Sequence, residues 1–473
     1  MSPQRILQKD MHRYSLFGLF ALLLGVMPAI AQAQSLTDAQ IVAVDSIAQN
    51  ALDGTLAGAP PVAGMAVGIA HDGEVVLSEA YGLADVHEER PLERHSIFRI
   101  GSVSKPFTAA AVLRFVEEGR INLSDDVRDH LPNAPTQGQE VTIEQLLNHT
   151  SGIPSYTSRS DFMWQTGEKR THDEMLAMMK SDSLDFAPGS EYAYNNSGYY
   201  LLGLLVEELS GVSYVEHLKE TMFDPLGLGD TLYCPDEPEN EQQARGYRPS
   251  PMGAGPMNAT AISMTQPYAA GALCSTVEDL LTWRAALDRG DVISAEMLER
   301  MQQASVAGED TLSYGLGIQV GERQGHRFVG HGGGINGFIS QWIHFPDDQW
   351  TVVVLTNTEG AAAFRAEEAI SRMLLDLPST EYHNLSLSAE ELAQFEGTYD
   401  IGPMNLRIFA SEGDLYAQGD GQPAFRLLAQ GGGVFLATFD PSVRIVFSID
   451  DGQATELTLH QAGQIFTGSR LDD

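Results

Sequence analysis

The stretch FRIGSVSKPFTAA, Phe98–Ala110, decides how this chain is read. It sets Ser102 and Lys105 three residues apart, where an irregular segment passes into an apolar helix. The chain has only five lysines, and one stands here, directly before Pro106. Residues three apart share a helix face, so Lys105 can bring its amine to the Ser102 hydroxyl. A serine hydroxyl is a weak nucleophile until a neighbouring base takes its proton. A lysine serves as that base only if burial or a second cation lowers its pKa. A helix start adds unpaired N–H groups that favour negative charge beside the serine. Pro106 falls in the first turn, where its missing N–H costs little, and Gly101 gives the backbone freedom for a sharp entry. Alone, Ser-x-x-Lys also describes a solvated first-turn lysine beside a capping serine, so the reading needs partners.

Two distant stretches supply them. In PGSEYAYNNSGYYLLG (Pro188–Gly203), Tyr194 and Asn196 form Y-x-N just before a helix. A phenol with a depressed pKa can act as general base, and an amide can hold both the lysine and a substrate carbonyl. A purely structural alternative makes Asn196 or Ser197 the helix cap. In FVGHGGGINGF (Phe328–Phe338), His331, Gly333 and Gly334 end a strand. Successive glycines let the backbone approach a ligand and present an N–H to a developing oxyanion.

In this order and spacing, S-x-x-K, Y-x-N and H-G-G resemble the serine β-lactamase-related hydrolases: penicillin-binding DD-peptidases, class C β-lactamases, D-aminopeptidases and carboxylesterases. LLNHTSGIP (Leu146–Pro154) and GALCSTVEDLLTW (Gly271–Trp283) add to the resemblance, which spans about 36–376. It implies an α/β (α+β) fold, an antiparallel sheet flanked by helices with a helical subdomain, and an acyl-enzyme route. Ser102 would be the nucleophile, Lys105 its partner and Tyr194 the base assisting proton transfer. Asn196, His331, Gly333 and Gly334 would bind substrate and oxyanion, with N–H donors on Ser102 and Gly334. His331 stands where lactamases carry the lysine of K-T-G, so this chain departs from them toward esterases and D-aminopeptidases. His149 of NHTSG reads equally well as a loop-packing residue. The implied function is an exported serine hydrolase of an ester or D-amino-acid amide or peptide. The alternatives are a DD-peptidase or weak class C-like β-lactamase, and a non-catalytic peptidoglycan or β-lactam sensor.

The remaining sequence frames this domain. Arg5, Lys9 and Arg13 precede the apolar run LFGLFALLLGVMPAIA, with small residues at Ala31 and Ala33. This reads as a signal peptide, residues 1–33, and implies a periplasmic or secreted protein. No later segment approaches membrane-spanning length. The net charge of −36 repels nucleic acid and anionic lipid, and the partner that the resemblance implies is a small-molecule ester or peptide substrate. Neither cofactor nor metal is implied, because the histidines are scattered and no cysteine cluster has ligand spacing. In an oxidising compartment the two cysteines, Cys234 and Cys274, read as one disulfide, with two buried free thiols as the alternative.

LTDAQIVAVDSIAQNAL reads as a helix with Ile41, Val44, Ile47 and Leu52 near one face. Asp72-Gly73 marks a hairpin. Strands resume with SYGLGIQVG, HRFVGHGG, GFISQWIHFP and WTVVVLTNT, so the sheet is assembled from both ends of a hydrolase domain, 34–378. Short β segments separated by Gly and Asp turns then predict a small antiparallel barrel or sandwich over 385–473.

Overall fold

Asp72 and Gly73 both adopt positive φ, +52° and +77°, which matches the right-handed twist of a two-residue hairpin turn. The turn joins strands Gly64–His71 and Glu74–Asp85 and sets His71 opposite Glu74. The computed structural model describes residues 35–471 apart from 57–58, 160, 182, 251–254, 309, 381–384, 403, 412, 420–423, 439–442, 451 and 462–463. The signal peptide expected at 1–33 lies outside the described residues.

The hairpin belongs to a seven-stranded antiparallel sheet. Its spatial order is Gln319–Arg323, His326–Ile335, Phe338–Phe345, Trp350–Thr356, Gly64–His71, Glu74–Asp85 and Arg90–Pro91. The first strand in sequence thus pairs with the last, Met65 opposite Thr356 and His71 opposite Trp350. Side chains alternate across these two strands. Met65, Val67, Ile69, Val352 and Val354 pack beneath helices Asp38–Leu52 and Ala362–Leu374. Ala66, Ala70, Val353 and Leu355 face the other way, toward helices Ser104–Glu117, Asn196–Ser210 and Val277–Arg289. A sheet buried on both faces needs such unbroken apolar runs, as in VVVL at 352–355.

The first helix starts at a capping box between Thr37 and Gln40. Its buried stripe is Val44, Ala48 and Ala51, whereas Ile41, expected on that face, is 37% exposed. Small alanines let the helix lie close to the sheet, and Ile41 lies beyond the contact. The strand expected from SYGLGIQVG begins only at Gln319. The preceding residues instead wrap the helix that carries Lys105: a side chain on Gly317 (φ +81°) would start 2.5 Å from Ala109 Cβ.

Beyond a short helix, Ala389–Ala393, eight strands from Gly397 to Arg470 form a closed barrel. The barrel-or-sandwich alternative therefore resolves to a barrel. Tyr399 and Asp400 pair with Arg470 and Ser469 to close it, leaving no free edge. Its core, including Phe395, Tyr399, Phe435 and Phe447, is separate from the two cores of the sheet. Among the described residues no helix is long and apolar enough to cross a membrane.

Candidate active site

Gly101 takes φ +51° and turns the chain into a short 3₁₀ segment, Gly101–Val103, that runs straight into helix Ser104–Glu117. Ser102 is therefore at the very start of the helical run, with Pro106 still in its first turn. The turn is tight against the end of strand His326–Ile335, since a side chain on Gly101 would start 3.1 Å from the Gly334 backbone. Gly333 tolerates no side chain either, because its Cβ would lie 2.0 Å from the Ile100 carbonyl oxygen.

Lys105 is wholly buried, 0% exposed. Its Nζ lies 3.1 Å from Ser102 Oγ, 2.8 Å from Asn196 Oδ1 and 2.8 Å from the Ala270 carbonyl oxygen. The amine also sits over the rings of Tyr194 and Tyr199, at 4.7 and 5.3 Å. No carboxylate approaches it within ion-pair distance among the described residues. Burial without a counter-anion pushes the amine well below the ordinary lysine pKa.

Asn196 reaches Lys105 because its neighbour takes the capping task. Asn195 Oδ1 accepts the Gly198 N–H at 2.8 Å and caps helix Asn196–Ser210, while Asn195 Nδ2 donates to the Ile153 carbonyl. This corrects the alternative that gave the cap to Asn196 or Ser197. Asn196 Nδ2 donates to Thr157 Oγ1 at 3.1 Å and its N–H donates to Ser155 Oγ, which fixes the amide with its oxygen toward the lysine.

Tyr194 joins this group with its hydroxyl buried and without a regular hydrogen-bond partner, although Ser102 lies near enough to favour its ionised form. Burial outweighs that help and raises the phenol well above its usual pKa. The depressed phenol expected from Y-x-N is thus not what the structure holds, because desolvation by burial is the larger effect. His331 is buried, 1% exposed, with both ring nitrogens engaged by the protein. Its Nδ1 lies 2.6 Å from the Gly332 carbonyl oxygen and its Nε2 lies 2.8 Å from Tyr314 Oη. An Nδ1–H tautomer satisfies both, with the tyrosine donating. Burial, reinforced by Lys105, lowers its pKa to about 3.

The sequence reading missed Tyr314, the Ala270 carbonyl and the Ser155–Thr157 clamp. It also left His149 undecided between packing and function. That ring packs at a tilt 4.3 Å from Tyr194 and 4.7 Å from Tyr314, and its Nδ1 accepts the Asn195 N–H at 3.1 Å. Its φ of +65° was a signal that only the backbone could reveal. The cleft itself, ≈ 120 Å³, is bounded by Ser102, Tyr156, Asn196, Gly271, Gly334 and Asn336, among others. Among the described residues no cluster of His, Cys, Asp or Glu could hold a metal ion. Cys234 and Cys274 are joined by a disulfide on the strand that pairs with Arg99.

A family model described as Beta-lactamase matches residues 52–377. The chain belongs to this family. Members of the family are serine hydrolases, and the sheet, the helices that carry Lys105 and Asn196 and the Ser102–Lys105 turn all lie within the matched span. Penicillin-binding protein 4* of Bacillus subtilis is 29% identical over 347 residues, 70% of this chain and 72% of that protein. Among solved structures, the octameric penicillin-binding protein homologue from Pyrococcus abyssi is 25% identical with a TM-score of 0.64. It covers 90% of this chain and 99% of its own. A D-stereospecific amidohydrolase from Streptomyces sp. is 26% identical with a TM-score of 0.57, covering 66% of this chain and 94% of its own.

Proposed function

We propose that this protein is an exported serine hydrolase that forms an acyl-enzyme at Ser102 from an ester or a D-amino-acid amide or peptide. One observation carries the reading: a fully buried amine, without a counter-anion, held between Ser102 Oγ, Asn196 Oδ1 and the Ala270 oxygen. A neutral amine has two N–H donors and one lone pair. Those three valences match this environment, with Asn196 and Ala270 accepting and the Ser102 hydroxyl donating to the lone pair.

Lys105 then takes the Ser102 proton as Oγ bonds to the substrate carbonyl carbon. The oxyanion forms beside the backbone N–H groups of Ser102 and Gly334, two residues that line the cleft. Lys105 returns the proton through the Tyr194 hydroxyl to the leaving group as the acyl bond breaks. Water repeats the sequence in reverse: it gives a proton to Lys105, attacks the ester carbon and releases Ser102. Tyr194, kept protonated by burial, suits a relay better than a standing base. Asn196 and Gly333 position Lys105 and the glycine strand.

Buried His331 carries no charge near neutral pH, so position 331 offers no cation to a β-lactam carboxylate. This supports esters and D-amino-acid amides over β-lactams, as does likeness to a protein named a D-stereospecific amidohydrolase. A DD-peptidase is the second reading, favoured by the likeness to penicillin-binding protein 4*. We also take 34–378 as the hydrolase domain and 385–473 as a separate domain. Turnover by residues 34–473 of p-nitrophenyl esters, D-amino-acid amides and nitrocefin tests the assignment. Ester or amide turnover lost in Ser102→Ala supports it; turnover that survives Ser102→Ala refutes it.

A further inference from the structure

His149 takes no part in the chemistry assigned to Ser102, Lys105 and Tyr194, yet it meets Tyr194 at three points. It adopts φ +65°, a left-handed conformation that histidine and asparagine enter more readily than most side chains. From there its carbonyl oxygen accepts the Ala193 N–H at 3.1 Å, and its Nδ1 accepts the Asn195 N–H at 3.1 Å. These two donors stand on either side of Tyr194, so a single residue holds the tyrosine backbone from both sides. The same imidazole packs 4.3 Å from the Tyr194 ring, against 6.1 Å for His331 and 6.3 Å for Tyr314.

Packing alone does not account for a histidine here. The residue is 1% exposed, and its Nε2 is buried without a hydrogen-bond partner among the described residues. Accepting at Nδ1 requires the neutral ring with its proton on Nε2, so that N–H is left unsatisfied. A phenylalanine would fill the space without that cost, but it could not accept the Asn195 N–H. Burial, reinforced by Lys105, lowers the ring's pKa well below the usual histidine range, which keeps the acceptor available near neutral pH. Tyr194 needs such a hold. No regular hydrogen bond at its hydroxyl fixes where the phenol points. Its direction is set by its backbone and by the face of its ring, and His149 grips both. Asn196 is held separately, by Ser155 and Thr157.

We propose that His149 is the positioning residue for Tyr194: by bracketing the tyrosine backbone and backing its ring, it aims the phenol at Ser102 and Lys105 for return of the proton to the leaving group. This rests on the reading of Tyr194 as that relay. No proton passes through His149 itself.

The test compares two acetate esters that differ in what their leaving groups require. Ethoxide must be protonated as it departs, whereas p-nitrophenolate need not be. His149→Phe keeps a ring and removes the acceptor. It is expected to lower kcat/KM for ethyl acetate about tenfold and that for p-nitrophenyl acetate about threefold at most. His149→Asn, whose Oδ1 can accept the same N–H and which suits the same φ, is expected to recover most of the ethyl acetate loss. In a Tyr194→Phe protein, His149→Phe should cost nothing more, because the group it aims is gone. No loss on ethyl acetate, equal losses on both esters, or a full further loss in the Tyr194→Phe protein overturns the proposal and leaves the relay reading intact. Ethyl acetate turnover unchanged in Tyr194→Phe overturns the relay itself, and the positioning role with it. Should His149→Phe not fold, His149→Gln, whose acceptor sits one methylene further out, takes its place. Where ethyl acetate is not turned over, amide hydrogen exchange over residues 191–197 decides. Faster exchange in that variant than in His149→Asn upholds the hold on Tyr194, and equal exchange overturns it.

Discussion

Replacing Lys105 with methionine tests the centre of the mechanism. The substitution keeps an unbranched apolar stem in a site that is fully enclosed and removes only the nitrogen that faces Ser102, Asn196 and Ala270. A positioned general base contributes roughly 10²–10⁴-fold, which is about 3–5 kcal/mol of barrier. Lys105→Met is therefore expected to lower kcat/KM for p-nitrophenyl acetate by at least a hundredfold. The pH profile gives a second, independent readout. The base works as the neutral amine, so activity rises with pH through the amine's pKa, and burial sets that limb well below the ordinary 10.5. The limb disappears in the variant. Stability carries the same signature: between the lowered native pKa and the ordinary unfolded one, the unfolded chain binds a proton that the native protein does not. Stability from this group therefore rises with pH across that window, and Lys105→Met removes the slope. Activity within threefold of the unmodified protein, or a rising limb at the ordinary lysine value, would refute the reasoning.

Tyr194→Phe removes a buried hydroxyl that makes no regular hydrogen bond, so melting temperature is expected to hold while kcat falls about 10- to 100-fold through slower proton return; an unchanged kcat contradicts the relay. His331 binds its proton far more readily unfolded than folded, so stability is expected to fall as pH drops from 6.5 toward about 3. Thermal melts of His331→Gln against pH should show a shallower decline, with buried groups such as His149 and His344 contributing to the residual slope; an identical decline contradicts the assignment. Reducing the Cys234–Cys274 bond, whose partners are 40 residues apart, should lower stability by roughly 3–4 kcal/mol, read from denaturant unfolding with and without reductant.

What could be read from the residues alone followed their range of interaction. The Asp72-Gly73 turn, the capped helix at Thr37 and the S-x-x-K face are settled by neighbours within four residues, and local rules suffice there. Gly211, which follows helix Asn196–Ser210, takes φ +76°, a local stop that glycine readily provides. The motif order also carried the pairing of Ser102, Lys105 and Asn196 across more than ninety residues. Long-range packing hid the rest. Nothing in GHGGG says that His331 turns inward to Tyr314, because that orientation is set by the irregular stretch around Tyr314 lying beneath it. The Ala270 carbonyl is a backbone group and leaves no mark in a side-chain pattern. Ile41 fits helical periodicity yet misses the sheet, since periodicity fixes a face and not its extent. Likewise, short strands with Gly turns suit a sandwich or a barrel, and only the pairing of Tyr399 with Arg470 chooses between them.

The pairing of strand Gly64–His71 with strand Trp350–Thr356 has a consequence for how the protein comes into being. The earliest strand made is a central strand of the sheet, and one of its two neighbours is synthesised nearly three hundred residues later. Until then its unpaired edge stays open, and the glycine strand that completes the cleft beside Ser102 has no seat. Loop closure over such a distance is slow and delays the native contacts that reward it. The cleft beside Ser102 therefore takes shape only once both ends of the sheet domain have met.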